Sequence, residues 1–119
     1  MDNIIILAED AATCQSASEI LLSAGFDCKT LQTRVDIYKM LLNFEHDIVL
    51  LDGQMLGFHS GEISIFIRRL VRLNSIKVCV MSKSSDDFDT LQSADPDHQE
   101  NYVYVQAPGG LLDVLKRWQ

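Results

Sequence analysis

The 119-residue sequence predicts a doubly wound α/β domain built on an all-parallel sheet. Three observations carry this. Short β-branched apolar runs alternate with stretches of helical spacing along the whole chain. The runs Asn3 to Ala8 (NIIILA) and Asp47 to Leu51 (DIVLL) are nearly apolar throughout, as strands buried on both faces are. Strand-like runs end on acids or a hydroxyl, which parallel strands would gather at one edge.

Asn3 to Ala8 is the first strand. Residues 11–24 follow with Ala17, Ile20, Leu21 and Ala24 on one helical face, and Gly25 stops that helix in the manner of a C′ residue. Phe26 to Leu31 reads as a weaker second strand. Thr33 can cap a helix running to about Asn43, with Val35, Ile37, Met40, Leu41 and Phe44 as its apolar set. The third strand, 47–51, ends on Asp52, and the Gly-rich loop GQMLGFHSG follows. Glu62 to Leu73 is helical, with Ile63, Phe66, Ile67, Leu70 and Leu73 inward and Arg68, Arg69 and Arg72 outward. Ile76 to Met81 is the fourth strand, ending on Ser82. The acidic stretch 83–100 predicts one short helix near 86–93 and then loop. Asn101 to Val105 is the fifth strand, and Leu111 to Trp118 the last helix. Strict alternation implies right-handed crossovers with helices on both faces.

Composition narrows the function. The net charge of −7 opposes a nucleic-acid surface, because phosphates need Lys and Arg. No run approaches the roughly 20 apolar residues of a membrane span, and no signal peptide is visible. Cys14, Cys28 and Cys79 fit neither a disulfide framework nor a zinc site, and predict buried thiols in a reducing, cytoplasmic compartment. His46, His59 and His98 lack metal-ligand spacing and read as exposed structural residues. A flavodoxin-type enzyme or cofactor carrier on this fold would need a phosphate loop after the first strand, where AEDAAT places two carboxylates. An Asp-x-Asp phosphatase would need an acid at position 12, which is Ala12. No Walker sequence or GxGxxG occurs.

The strand ends carry the chemistry. Glu9 and Asp10 close the first strand, Asp52 the third and Ser82 the fourth. In a parallel sheet they meet, and three converging carboxylates favour a hard divalent cation such as Mg²⁺. The chemistry implied is a carboxylate accepting a phosphoryl group with metal help. Each residue also has a plain reading. Asp10 can N-cap the first helix, Ser82 can bond the backbone, and Lys83 can be a solvated surface residue. Tyr104 can be half-buried packing. Asp52 is the hardest to dismiss, since a carboxylate after an apolar strand is costly unless solvated or paired.

The ordered set IIILAED, Gly25-Phe26, HDIVLLDGQM, VCVMS and YVYVQAP resembles response-regulator receiver (CheY-like) domains across nearly the whole chain. The resemblance implies a five-stranded sheet of order 2-1-3-4-5 in a three-layer sandwich, with residues 1–119 as one module, in expectation the N-terminal part of something longer. It implies Asp52 as phosphoacceptor, Ser82 as the phosphoryl-sensing hydroxyl, and Glu9, Asp10, Asp52 and the backbone carbonyl of Gln54 around Mg²⁺. Tyr104 occupies the place of the family's switch aromatic.

The sequence also departs from the family. Ala107 stands where a lysine precedes the proline after the fifth strand. Lys83 follows Ser82 where a small residue is usual, and either blocks the site or supplies the missing charge. Leu56 replaces a common proline, Gly61 comes one residue late, and Gly53 is loose beside Asp52. Two functions stay open. One is an atypical regulatory or protein-interaction module without enzymatic turnover. The other is a conventional receiver phosphorylated by a histidine kinase or phosphotransfer protein. Partners, an output domain or a second copy in a weak homodimer, are expected on the face of the fourth helix, fifth strand and fifth helix. That face would combine the 86–100 segment with Tyr102, Tyr104, Lys116, Arg117 and Trp118.

Overall fold

The structure, a computed structural model, describes residues 3–8, 10–31, 48–53, 62–106 and 108–117. The helix expected over 33–43, most of the 53–61 loop, and Glu9, Gln54, Ala107 and Trp118 lie outside the described residues. Five strands form one sheet: β1 (Asn3–Leu7), β2 (Asp27–Leu31), β3 (Ile48–Asp52), β4 (Lys77–Met81) and β5 (Tyr102–Val105). Their order is β2-β1-β3-β4-β5, and every pairing is parallel. Among the described residues the α-helices are α1 (Ala11–Ser23), α2 (Glu62–Asn74), α3 (Asp86–Ser93) and α4 (Leu111–Arg117). None of these is long and apolar enough to cross a membrane.

The all-apolar strands have a direct cause. Successive side chains leave a strand on opposite faces, and both faces here are covered. Ile5, Leu7, Val49, Leu51, Val78 and Val80 pack with α2 and α3 in one core layer. Ile4, Ile6, Ile48, Leu50, Cys79 and Met81 pack with α1 and α4 in the other. α1 ends as its sequence predicts. Gly25 adopts φ 89°, the Gly25 N–H donates to the Leu22 carbonyl, and the Phe26 N–H donates to the Leu21 carbonyl. This is a Schellman closure, and Leu21 and Phe26 share a core cluster.

The structure corrects several expectations. Ala24 is the exposed C-cap of α1 rather than part of its inner face. Leu73 is 80% exposed and Val71 is buried in its place. Ile63, Ile67, Leu70 and Val71 centre the stripe, and at 100° per residue Leu73 falls beyond its edge. The stretch after α3 is a 3₁₀ segment, Pro96–Asn101, instead of loop. Tyr102, expected on a docking face, is buried. Among the thiols, Cys14 and Cys79 are buried and Cys28 is half-buried. Burial pushes the Cys79 thiol up to about 12 against the opposing charge of Arg117, so it stays protonated.

Tyr102 turns inward because a carboxylate waits for it. Of the acids between 86 and 100, Asp95 is buried, and the Tyr102 hydroxyl donates to its Oδ2 at 2.7 Å. His98 Nδ1 lies 2.9 Å from Asp95 Oδ1, and Arg72 Nε of α2 lies 3.7 Å from the same oxygen. Asn101 Nδ2 donates to the Ile76 carbonyl at 3.0 Å. The 3₁₀ segment, with the Asp95 that precedes it, is thereby fastened to α2, to Ile76 just before β4, and to β5. Burial raises the Asp95 pKa, but hydrogen bonds from Tyr102 and His98 and the charges of His98 and Arg72 outweigh it and hold the carboxyl below its ordinary value.

Candidate functional site

β1, β3 and β4 run side by side, so their carboxyl ends open on one edge of the sheet. There Asp10, Thr13, Asp52, Met81, Ser82, Lys83, Ser84 and Gln106 line a cavity of about 580 Å³. Sequence reasoning named Asp10, Asp52, Ser82 and Lys83, and the structure places these four together. It missed Thr13, Ser84 and Gln106, polar residues one turn or one step beyond named positions. Glu9, Gln54 and Ala107 fall outside the described residues. Among the described residues no group of three or more His, Cys, Asp or Glu forms a metal cluster.

Each side chain is positioned by local structure. Asp52 is the last residue of β3, half-buried, with Met81 as its register partner on β4. Asp10 N-caps α1: its Oδ2 accepts from the Thr13 N–H at 2.9 Å and the Thr13 hydroxyl at 2.7 Å. Those bonds, the hydroxyl first, hold its carboxyl below the ordinary range and keep it ionised. Both Thr13 contacts fall on Oδ2, so capping and cation binding can use different oxygens. Two carboxylates with hydroxyls beside them fit a hard divalent cation.

Ser82 continues the β4–β5 ladder, its N–H donating to the Val105 carbonyl at 3.1 Å. The Ser84 N–H reaches Ser82 Oγ at 3.4 Å, and the Tyr104 hydroxyl donates to the Ser82 carbonyl at 2.6 Å. Tyr104 is half-buried and lies 5.7 Å from the Phe88 ring, centroid to centroid. Gly53 has a spatial reason. A Cβ there would stand 2.7 Å from Ser82 Cβ and 3.0 Å from Ser82 Oγ.

A doubly wound sheet of order 2-1-3-4-5, with acids and a hydroxyl at its carboxyl edge, places the chain in the flavodoxin-like class of folds. Within that class it has the fold of CheY-like receiver domains, as solved structures show. A response regulator receiver domain from Methanospirillum hungatei superposes with TM-score 0.74 at 17% identity, over 99% of this chain and 93% of its own. The response regulator TrrA from Thermotoga maritima, solved with Mg²⁺-BeF, gives TM-score 0.75 at 20% identity over 100% of both chains. RcsB from Salmonella enterica, solved bound to a promoter with a phosphomimetic, gives 0.71 at 19% over 98% of this chain and 67% of its own. No family model matches the sequence, and no curated protein does.

Proposed function

We propose that this domain is a two-component signal receiver of atypical, regulatory type, with Asp52 as its phosphoacceptor. The observation that carries the reading is the shared cavity of Asp10, Asp52, Ser82 and Lys83 at the carboxyl edge of a receiver-fold sheet. An Asp52 oxygen attacks the phosphorus of a phosphohistidine on a histidine kinase or phosphotransfer protein. The new O–P bond forms as the P–N bond breaks, and its electron pair leaves with the imidazole. Mg²⁺, when bound, offsets charge on the transferring group. In this reading Asp10, Asp52, Glu9 and the Gln54 carbonyl hold it, and Ser82 bonds a phosphoryl oxygen. Output passes through α3, β5 and α4, toward an output domain or a second copy in the cytoplasm, as signalling rather than turnover.

Intact mass after incubation with acetyl phosphate and Mg²⁺ tests this. The wild type should gain one phosphoryl group, and Asp52→Asn should gain none. No gain in wild type would favour a binding module indifferent to phosphate. Ala107 and the fixed hydrogen bond of Tyr104 to Ser82 support that second reading.

Metal binding and capping separate at Asp10. Serine keeps an N-cap acceptor without the charge, so Asp10→Ser should retain the melting temperature of wild type while weakening Mg²⁺ binding about tenfold. Amide shifts followed through a Mg²⁺ titration would report it. An unchanged midpoint would retire Asp10 as a ligand.

A further inference from the structure

Among the described residues lining the cavity, Lys83 carries the one positive charge, and the carboxylates of Asp10 and Asp52 line the same cavity. Lys83 is exposed, and it makes no ion pair among the described residues. A lysine on a surface loop is ordinarily a solvated tether, but this one is anchored. Met81 is the register partner of Asp52, on a strand about 5 Å away. Lys83 follows two residues on, within roughly 7 Å of chain. Four bonds hold that short link. The Ser82 N–H donates to Val105, the Tyr104 hydroxyl donates to the Ser82 carbonyl, the Ser84 N–H donates to Ser82 Oγ, and the Asp86 N–H donates to Ser84 Oγ. The backbone on either side of Lys83 is therefore tied to β5 and to its own turn, which keeps its Cα near Asp52, while its four-carbon stem leaves the ammonium free to meet an anion.

We propose that Lys83 is the cation that pairs with the phosphoryl group on Asp52, supplied from the loop after β4 because Ala107 after β5 carries no charge. The inference rests on the receiver reading of Asp52. A dianionic phosphoryl group beside Asp10 needs more positive charge than a divalent cation alone gives, and a charge-assisted bond from an ammonium provides it. The same charge has a second consequence: with no phosphoryl group bound, it repels an incoming cation. Lys83 thus opposes Mg²⁺ alone and favours Mg²⁺ together with a phosphoryl group, which makes binding of the two more cooperative.

The experiment is calorimetric titration of wild type, Lys83→Ala and Lys83→Arg, with Mg²⁺ alone and with Mg²⁺ plus beryllofluoride. Lys83→Ala should bind Mg²⁺ alone about threefold more tightly. It should bind beryllofluoride about tenfold more weakly, the loss of one charge-assisted bond. Lys83→Arg should stay near wild type in both. Beryllofluoride binding unchanged or tightened in Lys83→Ala overturns the proposal and leaves the receiver reading standing. Equal weakening of both ligands in both variants also overturns it, because that marks a role in loop structure. Failure of wild type to bind beryllofluoride overturns the receiver reading, and the proposal with it.

Discussion

Replacing Asp95 with alanine is expected to destabilise the domain by about 2–3 kcal/mol, mostly by orphaning the buried Tyr102 hydroxyl. At about 4 °C per kcal/mol for a domain of this size, the melting temperature should fall by roughly 8–12 °C. His98 and Arg72 contribute less to the loss, because both are partly exposed and water can solvate them once the carboxylate is gone. Tyr102→Phe removes the hydroxyl but leaves the buried Asp95 Oδ2 without that donor, while His98 and Arg72 still face Oδ1, and should cost about 1–2 kcal/mol. Alanine at the exposed neighbours Asp97 and Glu100 should change stability by less than about 0.5 kcal/mol. Denaturant melts of the four variants decide it. Equal effects at 95, 97 and 100 would show that the buried carboxylate holds nothing together.

The pH dependence has a definite sign. The folded Asp95 pKa lies below its ordinary value of 3.8, so the unfolded chain takes up the proton first as pH falls. The stabilisation is fully present above the ordinary value and is lost as pH drops through the folded one. Asp95→Asn has no such titration. The stability gap between wild type and Asp95→Asn should be widest near neutrality and close below about pH 4. A gap that widens in acid would show that the carboxylate is not held ionised by its partners.

What the sequence disclosed, and what it hid, follows from the range of the forces involved. β1 and β3 were legible because an apolar run has few ways to be satisfied other than burial on both faces. The end of α1 was legible because Gly25 and Phe26 close it within six residues. Asp10, Asp52, Ser82 and Lys83 could be placed together because parallel topology alone gathers strand ends. Asp95 was not legible. It stands among five other acids between 86 and 100, and its distinguishing partners come from β5, the 3₁₀ segment and α2. No local spacing encodes that meeting. Tyr102 was misread for the same reason, since a tyrosine in an alternating strand looks the same whether its hydroxyl meets water or a buried carboxylate.

Gly53 was misread in the opposite direction: it looks loose in the sequence and is tight in the fold. Two effects compete on Gly53→Ala. Alanine lowers the entropy of the unfolded chain, which alone would stabilise by about 0.4–1 kcal/mol. Against that, its Cβ would lie 2.7 Å from Ser82 Cβ, closer than real Cβ atoms come. Ser82 cannot yield easily, because its N–H is bonded to Val105 and its carbonyl to Tyr104. Overpacking of this kind costs about 1–3 kcal/mol, so the net result should be a loss of about 1–2 kcal/mol. The strain falls on the loop that carries Ser82 and Lys83, so amide shifts should spread from 81 to 84 and beryllofluoride binding should weaken along with stability. Removing the obstructing side chain tests the cause. Ser82→Gly in the Gly53→Ala background should recover most of the lost stability, a coupling of about 1 kcal/mol between residues in contact. If Gly53→Ala is as stable as wild type with the 81–84 amides unmoved, the close approach does not constrain position 53.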